Sequence, residues 1–462
     1  MKITFIHPPF IYLENNDRRH SHCLGLRSII AYLKSHGFRD IEYIDALQEG
    51  FEIVTPFVAG YLRGLTIDGI LDRLSPDTDI VAISVPFSQL ALIAHRIIEG
   101  IKQRLPRVTV VMGGVYPSTS PQRALLSKAD LIVVGEGEKA FLQLVQGVAP
   151  EKIPGVLSRI HWSGSTANPG KQTEFIDRLD SLPFPDYELA GLADYFEQGQ
   201  RAKTGWERTA AIITSRGCPF RCEFCSVHPV AGYKWRGRSP QNVLMELEFL
   251  IKSFGINSFE IEDDNFTFNK ERTVEILEGI IRLREAGHPI QWRVPNGIRI
   301  DTLDREIISL FKQANCKQVI LALEHGSPEM LDIMGKRLSL EKAHSVIKEF
   351  AQVEMEAIGV FVITGYPGET EAYFETSLNY LRKLKGLGEK IYPITSIAQP
   401  YPGTALMDRC LREGYVSEQA VEDFFACKTI WSSGKAVIIE GAGMSRKEVL
   451  SREKRVTAIF ES

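Results

Sequence analysis

The sequence predicts an α/β protein: an N-terminal open, doubly wound (Rossmann-like) sheet, then a partial (β/α)6 TIM barrel and a short C-terminal segment. Three observations carry this. Five apolar runs alternate with helices over residues 1–150. Six more alternate with helices over 206–400. Between them, 151–205 is rich in turn formers and lacks sustained periodicity, as expected of a connector. The remaining residues, 401–462, do not supply two further βα units, so a closed eightfold barrel is the less favoured reading.

Met1 to Ile6 reads as the first strand. Leu26, Ile29, Ile30 and Leu33 then recur at helical spacing, with Gly37 as the stop. Ile41–Ile44 is a second strand, and Ile80–Val85 a third, apolar enough for a parallel strand covered on both faces. Leu90, Ile93, Ala94, Ile97, Ile98 and Ile101 mark a one-sided helix. Val108–Met112 and Leu131–Val134 complete the sheet. In the connector, the turn-rich Ser163–Gly170 run and Leu182–Asp186 suggest a small hairpin and an extended proline segment, with Gly199–Trp206 mobile. The six later runs are Ala210–Thr214, Phe259–Ile261, Trp292–Val294, Val319–Leu323, Val360–Ile363 and Thr395–Ala398. Ser239 and Pro240 open one intervening helix as N-cap and first-turn residue. Leu406–Gly414 and Ser445–Phe460 read as helices and Val437–Glu440 as an edge strand.

Composition narrows the class. With 462 residues, 44% apolar and 24% charged, the chain reads as a soluble protein of two or three domains. No apolar run is long enough to span a bilayer, and no charged leader precedes an apolar segment, so the cytoplasm is expected. A net charge of −4 gives no reason to expect nucleic acid as a partner. Seven cysteines, an odd number, argue against a disulfide framework.

Three of those cysteines carry the chemistry. Cys218, Cys222 and Cys225 stand in C-x3-C-x2-C spacing directly after the run Ala210–Thr214. Three thiolates on one short loop can hold three corners of a cubic iron–sulfur cluster and leave the fourth iron open. With His228 they also make the donor set of a closed zinc site, although such sites usually draw ligand pairs from two loops. Cys23, Cys316, Cys410 and Cys427 lack ligand spacing and read as buried thiols.

The loop resembles the cluster-binding motif of the radical S-adenosylmethionine (SAM) enzymes, including Phe224 before the last cysteine. Upstream, Val110–Ser118 and Asp130–Phe141 resemble the signatures of the cobalamin-binding domain that precedes this barrel in one large subfamily. The resemblance implies a 4Fe–4S cluster on Cys218, Cys222 and Cys225, with SAM on the open iron. It implies SAM contacts from Phe224, Glu262 and Asp263 to the amino group side, Asn296 and Arg299 to carboxylate and ribose, Glu324, and Ile363 and Gly365 beside the adenine. An acceptor-only carboxylate suits an ammonium, and the planar fork of Arg suits a carboxylate. Where the family has Glu-Ser-Gly-Ser, this chain has Glu324-His-Gly-Ser327, so His325 is either a substrate contact or hydrogen-bonded filler. Arg236 and Arg238 are candidates for a phosphate or carboxylate, or a solvated basic turn.

Cobalamin contacts are implied at Ser84, Val85, Gly113, Gly114, Tyr116, Pro117, Glu136, Gly137 and Glu138. The Asp-x-His-x-x-Gly motif that supplies a lower histidine ligand to cobalt is absent, so the resemblance implies cobalt without one. The implied activity is C-methylation of an unactivated carbon through a 5′-deoxyadenosyl radical and methylcobalamin. A non-methylating cyclase, ring contractase or deoxygenase is the alternative, and a Cys3His zinc protein the alternative of another class. The substrate, a small molecule or peptide, is not named by any motif. The electron donor is expected to be external, such as flavodoxin or ferredoxin. An RNA methylthiotransferase would need a second cysteine trio upstream, where only Cys23 stands.

Overall fold

A computed structural model describes residues 1–15, 23–160, 173–189, 191–197, 206–429, 439 and 443–461. The Ser163–Gly170 run with its expected hairpin, and Gly199–Gly205 of the expected mobile stretch, lie outside the described residues. So does the expected edge strand at 437–440, apart from residue 439. The chain divides into two units. The first comprises Met1–Gln200, Ser226–Gly232 and Glu418–Ser432; the second comprises Arg201–Cys225, Tyr233–Ser417 and Ser433–Ser462.

In the first unit, β1 (Ile3–His7), β3 (Ile41–Asp45), β6 (Ile80–Ser84), β7 (Thr109–Gly113), β8 (Leu131–Val133) and β9 (Val156–Ser158) form a sheet of order β3-β1-β6-β7-β8-β9. The first five run parallel, and β9 joins antiparallel to β8, a sixth strand beyond the five expected. Every residue of β1 and β6 is buried, as the nearly continuous apolar run of β6 requires of a strand covered on both faces. The helix Leu24–Ser35 lays Leu26, Ile30 and Leu33 into the core formed by Ile3, Phe5, Phe141 and Val145. Strand order reverses between β1 and β6, the place where such sheets open a ligand crevice at their C-terminal ends. A small antiparallel sheet, β2 (Phe10–Tyr12), β5 (Gly60–Arg63) and β4 (Val54–Phe57), was not expected.

In the second unit, β10 (Thr209–Ile212), β13 (Ser258–Ile261), β14 (Gln291–Ile298), β15 (Cys316–Glu324), β16 (Ala357–Thr364) and β17 (Ile391–Ile397) lie side by side in sequence order, all parallel. The six expected βα units are all present, and the sheet does not close into a barrel. Between the strands, helices start at side-chain caps: Ser239, Asn269, Asp304, Ser339 and Thr370 each accept from the backbone N–H three residues on. Trp292 is fully buried, stacked on Phe259 at 5.8 Å, with its Nε1 donating to the carbonyl of Ala314. The two-stranded pair β11 (Ser215–Arg216) and β12 (Arg236–Gly237) follows β10.

The C-terminal helices run from Ala405 to Arg412 and from Arg446 to Glu461, the latter capped by Ser445 as expected. Val449 of the last helix packs on Ile397 of β17. Among the described residues, no helix is long and apolar enough to cross a membrane.

Candidate functional site

The cysteine loop leaves the end of β10 and is braced on several sides by strand ends of the second unit. Asp263, just beyond β13, accepts from Thr214 N at 2.6 Å, Thr214 Oγ1 at 2.5 Å and Ser215 Oγ at 2.6 Å. Its carboxylate is therefore spent on the loop's entry, and burial raises its pKa. Asp264 accepts from Gly217 N at 2.8 Å. Although it keeps accessible surface, protein crowds it and pushes its carboxyl up to about 6.

Beneath the middle of the loop, Glu223 N donates to Met334 O at 2.9 Å. Gly335, at φ +69°, approaches so closely that a Cβ would lie 2.8 Å from Arg221 O, which only glycine permits. The Glu223 carboxylate accepts from the Tyr366 hydroxyl at 2.6 Å and from Arg409 at 3.3 Å.

Cys218, Cys222 and Cys225 are all half-buried and unbridged. Burial pushes the Cys218 and Cys222 thiols up, while Lys336 and Arg299 pull Cys222 the other way. Among the described residues, no three of His, Cys, Asp and Glu converge closely enough to hold a single metal ion. Three thiols on one short loop are the donor set that a cubic iron–sulfur cluster takes. Asn265 adds a weak donor, its Nδ2 lying 4.0 Å from Cys218 Sγ. The other four cysteines are buried, as their lack of spacing suggests.

The candidate SAM residues gather at the C-terminal ends of adjacent strands, in different roles. Glu262 keeps partial exposure and accepts from Asn296 Nδ2 at 2.7 Å, bringing together the ends of β13 and β14. Arg299 is buried: its guanidinium covers the Phe220 ring, Nη2 donates to Lys336 O at 2.7 Å, and Nε pairs with Asp301. Glu324 holds a left-handed φ of +70° and pairs with buried Lys336 at 2.9 Å. Ile363 is half-buried in β16, and Gly365 turns at φ +73°. Phe224 is half-buried on the cysteine loop.

Two buried side-chain atoms nearby have no hydrogen-bond partner, Asn265 Oδ1 and Thr364 Oγ1. Because such atoms are costly to leave unpaired, they fit a polar ligand at the ends of β13 and β16. Sequence reasoning passed over both, since nothing in the local pattern separates them from loop residues.

His325 is filler, not a substrate contact. It is 1% exposed, with Nδ1 accepting from Ser327 N and Nε2 on Glu369. Arg238 faces neither ligand nor solvent: it is buried against Glu246 on the following helix and against Ile213 O. Arg236 is likewise buried.

In the first unit, Ser84, Val85, Gly113, Gly114, Tyr116 and Pro117 meet at the ends of β6 and β7, with Glu136, Gly137 and Glu138 after β8. Several of them serve packing. A Cβ on Gly114 would lie 2.8 Å from Val85 O, and one on Gly137 2.6 Å from Ile29. Glu138 accepts from Ser28 at 2.7 Å, and Glu136 from Ile176 N at 2.7 Å. Tyr116 is buried, with its hydroxyl 3.1 Å from His95 Nε2. Cys23 lies 3.7 Å from Ser84 Oγ.

The residue that sequence reasoning missed here is Gln89, one turn beyond β6. It is buried, and neither its Oε1 nor its Nε2 has a partner. An amide without partners beside a strand-end crevice fits a ligand as rich in amide groups as cobalamin.

Comparisons with known proteins match a part of each half of the chain to a family. Residues 212–381 match the Radical SAM superfamily, and residues 18–145 match the B12 binding domain. The chain is 29% identical over 415 residues to an uncharacterized methyltransferase of Pyrococcus horikoshii, covering 88% of this chain and 83% of that one. It is 27% identical over 453 residues to the cytidylyl-2-hydroxyethylphosphonate methyltransferase of Streptomyces wedmorensis, covering 90% and 83%. An anaerobic magnesium-protoporphyrin IX monomethyl ester cyclase of Rubrivivax gelatinosus is 24% identical over 394 residues, covering 83% and 66%. Among solved structures, the radical SAM methyltransferase TsrM of Kitasatospora setae shares the fold at a TM-score of 0.66 and 19% identity, covering 88% of this chain and 76% of that one.

Proposed function

From the premise that this chain is a radical SAM enzyme with a B12-binding domain, we propose that it methylates an unactivated carbon. Its cofactors are a 4Fe–4S cluster, SAM and cobalamin. The observation that carries the proposal is the presence of two features in one chain: three unbridged cysteines on one loop, and a buried amide without partners one turn beyond β6. Both relatives named as methyltransferases align over most of this chain, which supports the same reading.

When bound, the cluster and SAM supply one-electron chemistry, and cobalamin supplies a methyl group. The chain's own residues hold and orient. Cys218, Cys222 and Cys225 would ligate the cluster, and Asp263, Arg299 and the Met334–Gly335 turn fix the loop that carries them. Glu262, half-buried and accepting from Asn296 Nδ2, offers a carboxylate to an ammonium group. The buried lining at the ends of β15 and β16 excludes water and stray hydrogen donors. The substrate is a small molecule or peptide, and an external one-electron donor such as flavodoxin or ferredoxin supplies reducing equivalents.

The test is anaerobic incubation of the reconstituted chain with methyl-labelled SAM, cobalamin and a reductant, followed by mass spectrometry. S-adenosylhomocysteine and 5′-deoxyadenosine together are expected. Abundant 5′-deoxyadenosine alone would overturn methyl transfer in favour of the cyclase-type reading, which the Rubrivivax relative favours.

A further inference from the structure

A buried chain of charges ties the last helix to the loop after β16. Glu369 is fully buried and uses both carboxylate oxygens. Oε1 accepts from His325 Nε2 at 3.0 Å; Oε2 accepts from Gly365 N at 2.7 Å and from Arg452 Nη1 at 3.0 Å. His325 Nδ1 accepts from Ser327 N, so Nε2 is the ring nitrogen that donates to Glu369. Arg452 is thus the cation that balances Glu369, and it also donates to the Glu369 carbonyl at 3.1 Å. Its other end is held by Glu371 at 2.9 Å and by the Phe374 ring, 4.9 Å away.

The same helix touches the loop a second time. A Cβ on Gly365 would lie 2.7 Å from Val449 Cγ1, so the helix packs on bare backbone. Just before these contacts, at the end of β16, stands Thr364, whose buried hydroxyl has no partner. The loop Gly365–Glu369 is therefore gripped at both ends by one helix, beside an unpaired polar atom aimed at no protein group.

We propose that Arg452 is a positioning residue for SAM, acting through Glu369 to fix the Gly365–Glu369 loop against which the cofactor binds. The proposal rests on the radical SAM reading. It explains the departure at position 325: a histidine reaches Glu369, so the ends of β15 and β16 are joined to the C-terminal helix. Removing the guanidinium leaves a buried carboxylate unpaired and frees the loop.

The test uses the full chain with reconstituted cluster, reading SAM binding by its effect on the electron paramagnetic resonance spectrum of the reduced cluster. Arg452→Gln is expected to keep its iron and sulfide content and its spectrum without SAM. The SAM concentration at half-effect should rise about tenfold, the usual scale for losing a supporting contact. Arg452→Lys should recover part of the affinity. Val449→Ala, which leaves every charge paired, should give a smaller rise in a chain that still folds. Unchanged SAM dependence in Arg452→Gln and Val449→Ala would overturn the proposal. A wild-type chain with a cluster blind to SAM would instead overturn the radical SAM reading on which it stands.

Discussion

The guanidinium carbon of Arg299 lies 3.6 Å from the ring centroid of Phe220, one residue of the cysteine loop stacked on one residue beyond β14. The plane that covers the ring also donates to Lys336 O and pairs with Asp301, so three elements meet on one side chain. A lysine keeps the charge and loses the plane. Arg299→Lys is expected to destabilise the second unit by about 2 kcal/mol and to lower iron uptake. Denaturant unfolding and iron content per chain check this, and full iron content with unchanged stability would refute it.

Asp263→Asn should act on the same loop from the other side. The amide keeps one acceptor and turns an NH2 toward donors from Thr214 and Ser215. A loss of about 2–3 kcal/mol is expected, with faster alkylation of Cys218 in the iron-free chain. An alkylation rate equal to wild type would show that the loop does not depend on this carboxylate.

Each of Cys218→Ala, Cys222→Ala and Cys225→Ala is expected to remove the broad visible absorption and most of the iron, with little change in far-ultraviolet circular dichroism. Cys316→Ala should change neither, since that thiol is buried and bonds within its own strand. Stoichiometric zinc in the anaerobic protein would contradict this.

Gln89→Leu is expected to raise the melting temperature of the cobalamin-free chain, because two unpaired buried amide atoms are replaced by apolar ones. Cobalamin retained through gel filtration should fall at the same time. A lower melting temperature, or unchanged retention, would remove Gln89 from the site.

Acid should weaken the first unit through His95. Burial lowers its pKa from 6.5 to about 4, so the folded chain resists the proton that the unfolded chain accepts. Stability is then fully present above pH 6.5 and is lost as pH falls toward 4, by at most about 1.4 kcal/mol per pH unit. His95→Phe should flatten that part of the stability profile relative to wild type. Parallel profiles would assign the acid sensitivity to other groups.

The βα framework was legible because its strands are fully buried apolar runs and its helices carry side-chain caps such as Ser239 and Ser445. Strands ran longer than their apolar cores: Trp292–Val294 proved to be the first half of Gln291–Ile298, whose second half, Pro295-Asn-Gly-Ile298, lacks a continuous apolar run. The small sheet of Phe10–Tyr12, Val54–Phe57 and Gly60–Arg63 escaped notice because its strands are three or four residues long and mostly half-buried. The cysteine spacing was legible as a motif, and the structure keeps all three thiols unbridged on one loop. What the strand-end residues touch was not legible, since the partners are distant in sequence: Asp263 with Thr214, Arg299 with Lys336, His325 with Glu369. The family resemblance assigned Asp263, Arg299 and Tyr116 to ligands, and the fold adds that each also bonds to protein.

The first unit is not a stretch of chain that scissors could free. The helix Glu418–Phe425, nearly three hundred residues past Arg123, pairs Glu422 with that arginine and sets Phe425 against the Tyr116 ring at 5.8 Å. Cys427 closes over the Gln89 carbonyl. A fragment stopped at residue 150 or 200 would present Tyr116 and Arg123 bare to water.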